Sequence, residues 1–187
     1  MFTEPDIQIE KRGWIEVICG PMFSGKTEEL IRRMRRAQIA GKKTGIFKPA
    51  IDQRFHQTRI VSHNDTNMDS RPVEHSSEIL GLAAGMQVIA IDEAQFFDQG
   101  LPAVCEQLAL SGTRVIVAGL DTDFQGHPFG PIPNLLAVGE YITKLQAICM
   151  VCGNPASHTF RKTASTDKLL LGATDIYEAR CRNCFSK

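Results

Sequence analysis

The chain has 187 residues, 43% hydrophobic and 22% charged. That composition excludes global disorder and fits one domain, or one domain with a small appendage. Lys plus Arg and Asp plus Glu each number 21, so the net charge is zero. This counts against a broad basic footprint for duplex nucleic acid while leaving room for a local basic patch, and no apolar run approaches the ~20 residues of a membrane span.

The first residues, MFTEPDIQIEKRGW, have no apolar stretch of the signal-peptide kind, so the expectation is a cytoplasmic protein with a frayed start over residues 1–12. Trp14–Cys19 (WIEVIC) reads as a strand running into Gly20-Pro21-Met22-Phe23-Ser24-Gly25-Lys26-Thr27. Leu30, Ile31, Met34 and Ala37 then recur at helical spacing up to Gly41. On that helix the run Arg32, Arg33, Arg35, Arg36 reads as a solvated face. Residues 44–48 predict a strand stopped by Pro49, and the polar stretch 50–76 a long loop or insertion. QVIAI at 87–91 is apolar throughout, as in strands buried on both faces, and it ends in Asp92-Glu93. A helix follows over 101–110 with Pro102 in its first turn, then a strand over 114–120 and a Gly/Pro-rich loop over 121–134. A short helix over 135–139 and a fifth strand over 142–148 complete the series. Strands alternating with helices predict an α/β fold with a parallel sheet. Composition changes after Ile148, which places one unit at 1–148 and a second at 149–187.

Residues Gly20 to Thr27 match G-x-x-x-x-G-K-[ST] in full, between a strand and a helix. The glycines let successive N–H groups turn inward, and with the helix N-terminus these form an anion cradle. Lys26 can reach the β- and γ-phosphates of a nucleotide, and Thr27 can offer its hydroxyl to Mg²⁺. Asp92 and Glu93 end a strand at the sheet edge where open α/β folds bind ligands, and they point to opposite faces. Asp92 suits a direct or water-mediated Mg²⁺ role. Glu93 is either the group facing an attacking hydroxyl or a solvated strand-end charge. Cys149, Cys152, Cys181 and Cys184 form two C-x2-C pairs separated by 28 residues. Four thiolates suit a closed structural Zn²⁺ site, although the gap exceeds the usual 15–20 residues by about ten; on spacing alone a redox pair or an iron–sulfur cluster remain alternatives. A metal there would pin both ends of the excursion 153–180, leaving it free to cross the sheet mouth as a lid. Cys19 and Cys105 sit among apolar residues as inert thiols, and the five histidines show no metal-like spacing. Of Phe96, Phe97, Phe124 and Phe129, those beside the motif loops can stack on a flat ligand.

GPMFSGKT, FKPAIDQR, DEAQFF, LDTDFQGHPFG and the paired C-x2-C motifs occur together and in order. Over about residues 14–185 the chain resembles the thymidine kinase family of the cytosolic and bacterial type. The resemblance implies a P-loop NTPase core of the RecA-like kind with a small C-terminal zinc-binding lasso domain. It implies transfer of the ATP γ-phosphate to the 5′-hydroxyl of thymidine, Mg²⁺ for catalysis, Zn²⁺ for structure, a homotetramer and inhibition by dTTP. By motif, Gly20 to Thr27 bind ATP phosphates with Asp52 and Arg54 nearby. Glu93 is the proton acceptor, with Asp92 and Gln95 on the nucleotide side. Met22, Phe96, Leu120 and Phe124 fall where the family packs the pyrimidine. Thr159, Lys168, Leu169, Leu170, Leu171, Gly172 and Tyr177 match the thymidine-binding stretch, and the four cysteines the zinc positions. Thr27 stands where some members have Ser, Ala94 where others have Gly, and the lasso is shorter than in some relatives. A RecA-like ATPase or nucleic-acid-binding module with a zinc ribbon is the competing reading. The zero net charge and the lack of a basic stripe interleaved with aromatics count against it.

Overall fold

The computed structural model describes residues 12–51, 59–61, 67–163 and 175–186. In chain order these form β1 (Trp14–Cys19), α1 (Lys26–Ile39), β2 (Thr44–Pro49), β3 (Arg59–Val61), β4 (Asn67–Asp69), β5 (Arg71–Val73), α2 (Glu78–Leu82), β6 (Val88–Ile91), a 3₁₀ turn (Ala94–Phe96), α3 (Leu101–Leu110), β7 (Arg114–Gly119), α4 (Ile132–Val138), β8 (Tyr141–Lys144), β9 (Ala147–Ile148), β10 (Pro155–Ala156), β11 (His158–Arg161), β12 (Tyr177–Arg180) and α5 (Arg182–Phe185). One six-stranded sheet has the order β5-β2-β6-β7-β1-β8, and every pairing in it is parallel. Three antiparallel pairs, β3–β4, β9–β10 and β11–β12, lie outside it.

Every residue of β1, β6 and β7 is buried, as required of strands covered on both faces. Alternation divides them between two cores. Ile18, Ile46, Val88, Ala90, Ile116 and Ala118 pack under Leu30, Ile31, Met34 and Ala37 of α1. Ile15, Val17, Ile89, Ile91, Val115 and Val117 pack against α2, α3 and α4 through residues such as Ile79, Leu101, Leu108 and Leu135. The crossover from β1 to β2 passes over β6 and β7, whereas the one from β7 to β8 passes over β1. The C-terminal ends of β1, β6 and β7 therefore meet at mid-sheet, with loops leaving in opposite directions, which is where a ligand crevice opens.

Three expectations are corrected. The stretch 50–76 is not all loop: β5 forms the sheet edge, with Phe47, Lys48 and Pro49 opposite Arg71, Pro72 and Val73. The segment 142–148 is not one strand. The Leu145 N–H donates to the Cys19 carbonyl, after which Ala147 and Ile148 pair with Ala156 and Pro155 in another sheet. The basic run on α1 is not one solvated face, because Arg33 is fully buried. Its guanidinium reaches Glu16 at 2.7 Å, Glu29 at 2.8 Å and Thr143 at 2.9 Å. The expected inert thiols are as predicted: Cys19 and Cys105 are buried, and burial raises them to about 11 and about 12.

Candidate active site

The loop between β1 and α1 is wound as a cradle. Gly20 and Gly25 take φ of 141° and 82°, and Phe23 takes φ 65°. At Gly20 a Cβ would lie 2.4 Å from the Leu145 carbonyl oxygen, so the loop starts with the chain pressed against the β8 connection. The amides at the N-terminus of the 14-residue α1 face the cradle with their dipole. Lys26 Nζ donates to the Pro21 carbonyl at 2.7 Å, and the Ser24 hydroxyl donates to the same oxygen at 2.8 Å. The lysine therefore lies across the loop and has only to change partner to meet a phosphate oxygen.

At the end of β6, Asp92 accepts from the Thr27 hydroxyl at 3.2 Å and from the Glu93 N–H at 3.0 Å. Burial, then the negative charge of Glu93, pushes Asp92 up to about 7 against the opposing Glu93 N–H, Thr27 and Lys26. Glu93 has φ 50° and, with Phe23, is one of two non-glycine residues at positive φ among the described residues. Both strained positions border the same crevice, as strain at functional sites leads one to expect. Gln95 Nε2 donates to Glu93 Oε2, and Gln95 Oε1 accepts the Leu120 N–H at 2.9 Å. Gln95 is 2% exposed, and both ends of its amide are engaged within the protein.

The β11–β12 pair closes the other side. The Met22 N–H, in the cradle, donates to Thr159 Oγ1 at 3.0 Å. Thr159 and Arg161 share a buried face of β11. Arg161 stacks on the Phe124 ring, its Cζ 3.6 Å from the centroid, and donates to the Tyr177 hydroxyl at 2.8 Å. Phe96 and Phe129 meet edge to face at 5.6 Å. The structure thus joins Met22 to Thr159, Phe124 to Tyr177 through Arg161, and Leu120 to Glu93 through Gln95. Arg161 carries no motif signal. The strand alternation in HTFR could have found it, by placing it on the same face as Thr159. Asp52, Arg54, Lys168, Leu169, Leu170, Leu171 and Gly172 lie outside the described residues.

The Sγ atoms of Cys149, Cys152, Cys181 and Cys184 all lie within 4.8 Å of one another, and all four thiols are free. Cys152 and Cys181 are 3.6 Å apart, close to the ~3.8 Å edge of a tetrahedron with 2.3 Å metal–sulfur bonds. Burial opposes charge on Cys149, but N–H donors from Cys181, Val151 and Cys152 outweigh it and hold its thiol at about 6. The Cys181 and Cys152 sulfurs push Cys184 up to about 12. Four thiolates at this spacing need a cation, so the donor set fits a closed Zn²⁺ site. A disulfide redox pair would use two sulfurs and leave the others unexplained.

The Thymidine kinase family model matches residues 13–185. The chain is 57% identical over 173 residues to a thymidine kinase of Rhodothermus sp., covering 92% of this chain and 81% of that one. It is 52% identical over 186 residues to a thymidine kinase of Bacteroides thetaiotaomicron, covering 99% and 94%. With a thymidine kinase of Bdellovibrio bacteriovorus the identity is 51% over 178 residues, covering 95% and 87%. With phosphate cradle, acidic pair and cysteine cluster in one arrangement, the chain belongs to the thymidine kinase family.

Proposed function

We propose that this thymidine kinase transfers the γ-phosphate of ATP to the 5′-hydroxyl of thymidine, giving dTMP and ADP. The observation carrying the reading is the placement of Glu93, held by Gln95, next to the Asp92–Thr27 pair at the cradle. A proton acceptor and an anion site therefore share one crevice.

The loop amides and Lys26 bind the triphosphate tail, with Asp52 and Arg54 assigned nearby by motif. Thr27 and Asp92 would hold Mg²⁺, directly or through water. They fit it because the Asp92–Glu93 pair concentrates negative charge that a dication relieves. When bound, Mg²⁺ offsets charge on the transferring phosphoryl group. Glu93 orients the 5′-hydroxyl and accepts its proton late, since the transition state of phosphoryl transfer is loose. Met22, Phe96, Leu120 and Phe124 would pack the pyrimidine, while Thr159, Lys168 to Gly172 and Tyr177 are assigned to thymidine by motif. Cys149, Cys152, Cys181 and Cys184 would hold Zn²⁺, which offers no open position and so acts on structure alone.

The same reading divides the chain into a P-loop unit at 1–148 and a zinc-binding lasso unit at 149–187. It also gives a homotetramer, feedback inhibition by dTTP and a cytoplasmic location. In its support, no helix among the described residues is long and apolar enough to cross a membrane. Light scattering tests the tetramer, and initial rates with dTTP the inhibition.

The deciding experiment is Glu93→Gln. Expected is unchanged ATP binding with turnover reduced by about 10²–10⁴-fold, the usual worth of a general base. Turnover near that of the unaltered enzyme removes Glu93 from the role.

A further inference from the structure

We propose that Gln95 is the positioning residue for Glu93. The inference rests on the reading of Glu93 as the proton acceptor. An amide's oxygen and nitrogen are told apart here by their partners. The Leu120 N–H can only donate, so the atom facing it, at 2.9 Å, is the carbonyl oxygen Oε1. The NH₂ group then faces Glu93 Oε2 and donates to it. One rigid side chain thereby spans from the end of β7 to the carboxylate at the end of β6.

The surroundings fit this one side chain. A Cβ on Gly119 would lie 2.9 Å from Gln95 Oε1, and one on Gly130 would lie 2.1 Å from the Gln95 carbonyl oxygen. Both neighbours are pared back so that the Gln95 segment can sit between β7 and the loop before α4. The segment is a single 3₁₀ turn, in which the Phe96 N–H donates to the Glu93 carbonyl at 3.1 Å. That turn starts from Glu93 in its left-handed conformation. A strained residue on a short turn needs an external anchor to keep its side chain aimed, and Gln95 supplies it. Gln95 itself is 2% exposed and has both ends of its amide engaged within the protein.

The test is Gln95→Met, which keeps length and loses the amide. Expected is a kcat loss of about 10–100-fold, the scale of a misaligned reacting group, with the KM for ATP unchanged. In a Glu93→Gln background the same substitution should cost nothing further, because its target is gone. A raised KM for ATP at unchanged kcat, no loss of kcat, or losses that multiply in the double variant each overturn the proposal. Should Gln95→Met fail to fold, the ¹⁵N–¹H resonances of the Gln95 side-chain amide are compared with and without Glu93→Gln. A clear shift supports the proposal, and superimposable resonances refute it. If Glu93→Gln retains full turnover, the proton-acceptor reading fails; if it lowers turnover as expected while losses multiply, only the Gln95 proposal fails.

Discussion

Asp92 and Glu93 are adjacent, yet their surroundings differ. Asp92 is 5% exposed and is raised to about 7 by burial and by Glu93. In the unfolded chain it would titrate near its ordinary 3.8. The folded state thus holds a proton that the unfolded state releases. The stabilisation is full below the unfolded value and is lost as pH rises through about 7. Asp92→Asn should therefore raise the melting temperature of the ligand-free protein, by more at about pH 8 than at about pH 5. Melts showing the larger gain at the acid end would contradict the sign. The same variant should lose activity, the trade-off expected of a destabilised site. These two residues were legible in sequence because an apolar strand ends at them and a phosphate loop precedes them. The φ of Glu93 and the burial of Gln95 were not legible, since both depend on how closely β7 and the loop before α4 approach.

At the scale of elements, β1 and α1 flank the phosphate loop and are tied together behind it. Glu16, fully buried on β1, accepts from Arg33 at 2.7 Å, from Arg114 at 2.6 Å and from Trp14 Nε1 at 2.7 Å. Breaking such a buried pair from one side typically costs about 3–5 kcal/mol, because charge is left behind. Arg33→Ala should sit near the lower end, about 3 kcal/mol, as Glu16 keeps Arg114. Replacing exposed Arg36 with Ala should change stability by less than about 0.5 kcal/mol. Urea titrations of the two variants check the contrast, and equal effects would mean that Arg33 is not structural. Four arginines in five positions read as one face because charge alone carries no depth. Arg33 shares the i, i+3, i+4, i+7 stripe of Leu30, Met34 and Ala37, and its partner Glu16 on β1 shows why a charge is tolerated there. β5 was missed for a related reason: RPV is short and polar at one end, and its pairing with β2 is a tertiary fact. The split of 142–148 had the same origin, since apolar character continues where the chain changes sheets.

For the whole molecule, the cysteine unit and the sheet meet at the phosphate loop. Ala147, Cys149, Ala156 and Ala179 form a small core, and Phe23 of the loop packs against it with Cys181 and Cys184. Next to it the Met22 N–H donates to Thr159, and Arg161 ties the β11–β12 stem to Phe124. The core is small for apolar burial alone, so a metal held by the four cysteines would supply much of its folding energy. Metal loss should consequently reach the phosphate loop as well, because Phe23, at φ 65°, packs against that core. Cys152→Ser, or chelation of the unaltered enzyme, should remove bound zinc and raise the KM for thymidine and the Kd for ATP together, each by roughly tenfold or more. Arg161→Lys keeps the charge but cannot stack and donate in one plane, and should raise the thymidine KM while leaving the Kd for ATP and the zinc content as they were. Metal analysis and ATP titration on both variants separate the two routes. Unchanged ATP affinity after zinc removal would show that the loop keeps its shape without the cysteine unit.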